Sequence, residues 1–230
     1  MRSLSPSRSF IDEPFRFVGG HIAADYVNTV NWESGGLDRD RLGDYERVVR
    51  WCEEACVIDS ATSAKLRSAA KARRADANKA YRAARLLRDV LHTLLEAVAN
   101  GTLHKVSGRR ALADFNAQLS AALPDIQLGG VAKRRANAGS AEQSSDEGAL
   151  AWTWTGTESR LDAILSPVIW NTAQLLTSPD AARVRMCESS DCGWIYVDRS
   201  RNGLRRWCEM QTCGTLEKSR RRAARQLERG

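Results

Sequence analysis

The stretch CESSDCGWIYVDRSRNGLRRWCEMQTC, residues 187–213, carries four of the chain's six cysteines. They form two pairs, Cys187 with Cys192 and Cys208 with Cys213, each with four residues between its members. Structural zinc sites draw four thiolate or imidazole ligands from two such pairs, because each pair needs a tight turn that aims two atoms at one metal. Gly193 and Gly214 each follow the second cysteine of a pair and suit the backbone bends. The spacing therefore reads as one Zn²⁺ on Cys187, Cys192, Cys208 and Cys213. Buried free thiols and two disulfides are the alternatives. The first 15 residues hold charge and proline but no apolar run, so no secretory leader is expected, and a reducing compartment favours metal over disulfides. Four protein sulfurs leave no position for a substrate water, which makes the metal structural rather than catalytic. Between the pairs, Trp194-Ile195-Tyr196-Val197 predicts one strand of a hairpin, with Val184-Arg185-Met186 as its partner. Arg199, Arg201, Arg205 and Arg206 lie between the pairs, placed to offset the charge of the thiolates.

Beyond the last cysteine the chain is basic. The formal net charge is +7, and residues 199–230 supply all of it, with nine Arg and one Lys against three Glu. Lys218, Arg221, Arg222, Arg225 and Arg229 recur at spacings of three and four, which places them on one face of a helix. Such a face suits the phosphates of a nucleic acid. Phosphate contacts position without reading sequence; base reading would fall to residues such as Arg205, Arg206 and Gln211. A solvated helix or a protein-docking face is the alternative. Trp194 and Trp207 sit in a module with little core and read as packing residues, with base stacking as the alternative.

Upstream, the composition is that of a globular protein: 230 residues, 43% hydrophobic and 27% charged. No apolar run is long enough to span a membrane. Residues 1–14 read as a flexible lead-in, and Phe15, Phe17 and Val18 as a short strand before Gly19-Gly20. Ile22, Ala23, Tyr26, Val27 and Val30 follow at helical spacing, as do Leu42, Tyr45, Val48, Val49, Cys52 and Cys56. Residues 60–100 predict two helices with a break near Asp76 and a stop at Asn100-Gly101. A further helix fits 107–123. Gly129-Gly130 reads as a turn, 138–148 as a polar loop, and Trp152 to Thr155 as a strand with Val131 to Arg135 as its partner. Leu161 to Leu176 form a last apolar helical face, interrupted or opened by Pro167. The fold class is mainly α with a small sheet or hairpin, followed by a zinc module of hairpin and basic helix.

Asn28, Trp32 and Trp170 are candidates to line a pocket for a small effector, with Trp152, Trp154 and Asn171 nearby; core packing with satisfied amides is the competing explanation. His21, His92 and His104 are scattered. There is no catalytic triad, no glycine-rich phosphate loop and no paired acid and base, so no enzyme activity is expected. Cys52 and Cys56 share an apolar stripe and read as core.

The segments Cys187…Cys192, Asp198-Arg199-Ser200-Arg201-Asn202, Arg205-Arg206-Trp207-Cys208 and Cys213-Gly214 resemble the CGNR zinc finger. That family continues with Asn-Arg after the glycine, where this chain has Thr215-Leu216. Zinc ligation survives such a change; a nucleic-acid contact by the replaced arginine does not. Residues 21–30, HIAADYVNTV, resemble the opening of the ABATE domain, which usually precedes this finger, and Tyr45, Val48, Val49 and Trp51 fit it too. The resemblance implies a bacterial, cytoplasmic, stress-induced transcription regulator. The expected organisation is a lead-in at 1–14, a mainly helical ABATE-like domain at 15–180 and the finger with its basic helix at 181–230. The expected function is zinc-dependent DNA binding, with the body sensing a small molecule or mediating homo-oligomer assembly and no part in a membrane. A protein–protein module with purely structural zinc is the first alternative, and an enzyme with a site in the helical domain ranks last.

Overall fold

The computed structural model describes residues 14–31, 40–130, 150–157 and 160–227. The lead-in before Pro14, Trp32, the expected strand at 131–135 and Arg229 lie outside them. The described residues form seven α-helices: α1 (Ile22–Val27), α2 (Tyr45–Glu54), α3 (Ser60–Ala72), α4 (Arg74–Ala99), α5 (Val106–Ala122), α6 (Ser166–Thr177) and α7 (Thr215–Leu227). Two antiparallel hairpins accompany them, β1 (Ile126–Gly130) with β2 (Leu150–Trp154), and β3 (Val184–Met186) with β4 (Ile195–Val197).

Local chemistry sets the helix ends. The Asp44 and Asp59 carboxylates accept the Arg47 and Thr62 N–H groups at 2.9 and 2.7 Å, satisfying donors that the first turns of α2 and α3 leave free. The break between α3 and α4 falls at Arg73, close to the expected Asp76. Gly101, at φ +65°, ends α4 where Asn100-Gly101 predicted a stop. Pro167 occupies the first turn of α6, where its missing N–H costs nothing. No helix among the described residues is long and apolar enough to cross a membrane.

α4 is the axis of the molecule. Its 26 residues span about 39 Å, and its stripe of Ala77, Ala80, Ala84, Leu87, Leu91, Leu94 and Leu95 is buried. α1, α2, α3, α5 and α6 all pack around this core. Tyr26 donates its hydroxyl to the Ala84 carbonyl at 2.8 Å, and Tyr45 donates to Leu161 at 2.8 Å, so both rings bury with their polar tips satisfied. Arg88, 2% exposed, grips Asp40 with two N–H groups at 2.6 and 2.7 Å. Burial opposes the charge on Asp40, but the guanidinium outweighs it and holds the carboxyl below its ordinary range.

Two expected strands differ. β2 pairs with β1, in a register that sets Leu128 against Trp152 and Ile126 against Trp154. Gly129 and Gly130, expected as a turn, belong to β1. The Thr153 side chain lies 2.7 Å from where a Cβ on Gly129 would stand, so the close cross-strand approach explains the residue. Phe15 to Val18 form no ladder among the described residues; Phe15 is instead part of the core, and the Arg47 guanidinium lies over its ring.

The finger's hairpin matches the expected pairing, Val184 opposite Val197 and Met186 opposite Ile195. Its two faces pack separately, Tyr196 with Trp194 against Cys187, Cys192 and Cys208 in a small cluster of the finger's own. Val184, Ile195 and Val197 are buried in the same cluster as α1, α2, α4 and α6.

Candidate metal centre and basic helix

The four cysteines converge as their spacing predicts. The sulfurs of Cys187, Cys192, Cys208 and Cys213 all lie within 4.8 Å of one another. Cys208 Sγ is 3.6 Å from both Cys192 Sγ and Cys213 Sγ. A tetrahedron with Zn–S bonds of about 2.3 Å has sulfur–sulfur edges of about 3.8 Å, so the arrangement fits zinc and is too open for a disulfide. Backbone N–H groups of Ser189 and Cys208 point at Cys187 Sγ, and that of Trp194 points at Cys192 Sγ, which stabilises thiolate charge. Gly193 adopts φ +63° directly after Cys192, the bend that lets the first pair turn back on itself. Cys52, by contrast, is buried in the core, and burial pushes its thiol far up; Cys56 is exposed at φ +56° at the end of α2, off the apolar stripe expected for it.

Arg205, expected as a reader of bases, has another use. Its Nε donates to the Trp207 carbonyl at 2.9 Å, and one terminal nitrogen donates to the Val18 carbonyl at 2.8 Å and to the Cys208 carbonyl. Its plane lies over the Tyr196 ring, 4.3 Å from the centroid. The guanidinium ties the second ligand pair to the body. Asp198, 1% exposed, organises the loop beneath it by accepting the Ser200 and Arg205 N–H groups at 2.9 and 3.0 Å. Arg206 is exposed, paired with Glu188 at 2.6 Å, and lies over the Trp207 ring at 5.3 Å. Trp207 and Trp194 are packing residues, as expected. Trp194 donates its indole N–H to the Val30 carbonyl at 2.9 Å.

A single π-helical turn, Met210–Gly214, carries Cys213 into α7. Gly214 is buried, and a Cβ there would meet Met210 Sδ at 2.6 Å and Trp207 Cε3 at 3.3 Å. No residue of α7 itself is buried. Lys218, Arg221, Arg222 and Arg225 are all exposed, line a common groove with Gln226, and carry no ion pair or hydrogen bond among the described residues. The helix is oriented by residues that charge spacing did not single out. Glu217 accepts from Ser189 at 3.1 Å, and Arg220 pairs with Glu217 at 2.9 Å, Ser190 at 2.8 Å and Asp191. Residues 189–191 form the turn between Cys187 and Cys192, so the metal-shaped loop aims the basic helix.

On the body side, Asn28 does not line a pocket. Its amide is 2% exposed, donates to the Ile195 carbonyl at 2.8 Å and accepts the Ile195 N–H at 3.0 Å. Both ends are used to hold strand β4, which is why nothing of it is left for an effector. Trp170 meets Trp152 edge-on, with ring centroids 5.5 Å apart. A cleft of about 780 Å³ lies elsewhere, between Thr62, Lys65 and Ala69 of α3 and residues Trp154 to Thr157 at and beyond the end of β2.

Asp25, on the same short helix, accepts the Gly19 N–H at 2.7 Å. Burial pushes its pKa up to about 6 from 3.8, and the Gly19 N–H and nearby Arg205 only partly oppose this. The folded chain therefore prefers the neutral carboxyl. Stability present below about pH 4 is lost as pH rises through 6, by about 3 kcal/mol at most. Asp25→Asn keeps an acceptor for Gly19 and removes the ionisation. Thermal melts should show the variant more stable than the parent at pH 8 and level with it at pH 4. Equal melting of the two at pH 8 contradicts this account.

A mainly helical body joined to a four-cysteine zinc module, with an exposed basic helix beyond it, defines a zinc-finger protein. The CGNR zinc finger family matches residues 183–226. The ABATE family, described as "putative stress-induced transcription regulator", matches residues 20–179, more than half of the chain, and the protein belongs to it. One structural zinc is its cofactor, held by the four cysteines. No curated protein matches the chain.

Proposed function

We propose that this cytoplasmic protein regulates transcription by binding DNA through α7. The observation that carries the reading is the exposed set Lys218, Arg221, Arg222 and Arg225, four cations without carboxylate partners among the described residues, on a helix aimed by the zinc loop. These side chains reach phosphates and set position. Arg206 and Gln211, both exposed beside the finger, are the candidates for base edges. An effector, if the body takes one, belongs in the cleft beside Thr62, Lys65 and Trp154 rather than at Asn28. The reading gives the chain no catalytic role.

Binding of the zinc-loaded protein to mixed-sequence duplex DNA across a salt series tests it. Each neutralised phosphate contributes about −0.9 to the slope of log K against log salt, so replacing Arg221, Arg222 and Arg225 with Ala should flatten the slope by up to about 2.7. Affinity should fall similarly for all sequences, with zinc content unchanged. Absence of binding at about 50 mM salt by the intact protein removes the nucleic-acid reading. A protein partner that is retained after residues 214–230 are cut would favour the interaction-module alternative.

A further inference from the structure

Charge in the body is polarised. Residues 1–198 hold 25 basic and 25 acidic side chains, yet residues 60–110 alone hold twelve basic against three acidic. Six exposed arginines are neutralised: Arg50 by Glu54, Arg110 by Asp114, Arg160 by Asp125, Arg199 by Asp180, Arg206 by Glu188 and Arg220 by Asp191. Exposed cations without such a partner among the described residues include Lys65, Lys105, Arg109, Arg185 and Arg201, set apart from one another, and two clusters. One is α7. The other is the corner where α3 runs into α4, with Lys71, Arg74, Lys79 and Arg82. Arg74, Asn78 and Arg82 recur at every fourth residue and form one outward ridge of α4, and Lys79 flanks Arg82 at a spacing of three. Within 71–88 Asp76 is the sole carboxylate, and it makes no ion pair among the described residues. Clustered like charges on a helix surface repel one another and cost stability. A polyanion relieves that repulsion.

The placement relates this corner to the finger. His92, on the same helix, meets the finger at Gly193, its Nε2 3.0 Å from the carbonyl. At 1.5 Å per residue, Arg82 lies about 15 Å and Arg74 about 27 Å along α4 from that junction. Both distances fall within one duplex turn of about 34 Å.

We propose that the α3–α4 corner is a second phosphate-binding surface, which engages the same nucleic acid as α7. The proposal rests on the DNA-binding reading of α7 and adds to it a second site on the helical body. The test uses the full zinc-loaded chain and labelled mixed-sequence duplex DNA across a salt series. Replacing Lys71, Arg74, Lys79 and Arg82 with Ala, a strong helix former, should leave zinc content and helicity intact. The slope of log K against log salt should flatten by about 0.9 for each phosphate no longer neutralised, up to about 3.6, and affinity at low salt should fall at least tenfold. Combining these changes with the Ala substitutions in α7 should weaken binding further than either set alone. If the intact protein binds DNA and the α3–α4 variant keeps its slope and affinity, the corner is a solvated surface and this inference fails while the function of α7 stands. If the intact protein binds no nucleic acid, both fail together.

Discussion

Chelation of zinc is expected to destabilise the whole chain, not the finger alone. The metal holds four sulfurs that belong to a hairpin whose Val184, Ile195 and Val197 side chains are buried in the common core. His92 of α4, Asn28 at the C-terminal cap of α1 and the Val30 carbonyl each meet residues 193–195 beside the second ligand. Losing the metal frees the turn at 188–192 and with it the register of β4. Structural zinc contributes about 10–16 kcal/mol in isolated finger peptides, comparable with the entire stability of an ordinary domain. A chain of this size shifts its melting point by about 2–4 °C per kcal/mol, so apo protein and Cys208→Ser should melt roughly 20 °C or more below the parent. Calorimetry should show one shifted transition. The DNA binding proposed for α7 should vanish with the metal, because Glu217 and Arg220 aim α7 through residues 189–191. A body transition that stays at the parent temperature after chelation would show the finger to be an independent unit.

The zinc site is legible in the sequence because its information is local. Two short-spaced cysteine pairs and a run of strand formers between them need no knowledge of the rest of the fold. The helices are legible for a similar reason: the stripe from Ala77 to Leu95 repeats at helical spacing, and Asn100-Gly101 is a strong stop. Sequence patterns mislead where the deciding neighbour is distant. Gly129 and Gly130 carry turn composition, yet Thr153 across the hairpin makes glycine the residue that fits a strand. Arg205 looks like any other arginine of a basic segment until Val18, 187 residues away, is seen to accept from it. Arg220 lies among the cations of α7, and only the folded 189–191 turn separates its orienting role from theirs. Asn28 carries the same lesson. An amide on an apolar helix is equally compatible with a ligand pocket and with a structural clamp, and the choice depends on a strand 167 residues further on.

That clamp sets the second large effect. Tyr196 and its neighbours pair β4 with β3, and the alternation of an antiparallel ladder turns the Ile195 N–H and C=O away from that partner. Asn28 supplies what a third strand would supply, one donor and one acceptor on the same residue. The Gly19 carbonyl does the same for the Val197 N–H at 2.8 Å. Asn28→Leu fills comparable volume but offers neither group, so two buried backbone groups lose their partners at about 1–3 kcal/mol each. The expected loss of about 2–6 kcal/mol corresponds to a fall in melting temperature of roughly 5–20 °C. Zinc stoichiometry should hold, because the ligands are elsewhere. Asn28→Asp retains the acceptor for the Ile195 N–H and loses the donor, and it buries a charge besides, so it should not rescue the fold. A residue kept for an effector behaves in the opposite way: its replacement by a buried apolar side chain leaves stability unchanged or raises it. An Asn28→Leu protein that melts with the parent would therefore overturn the clamp and make this position a candidate for ligand binding again.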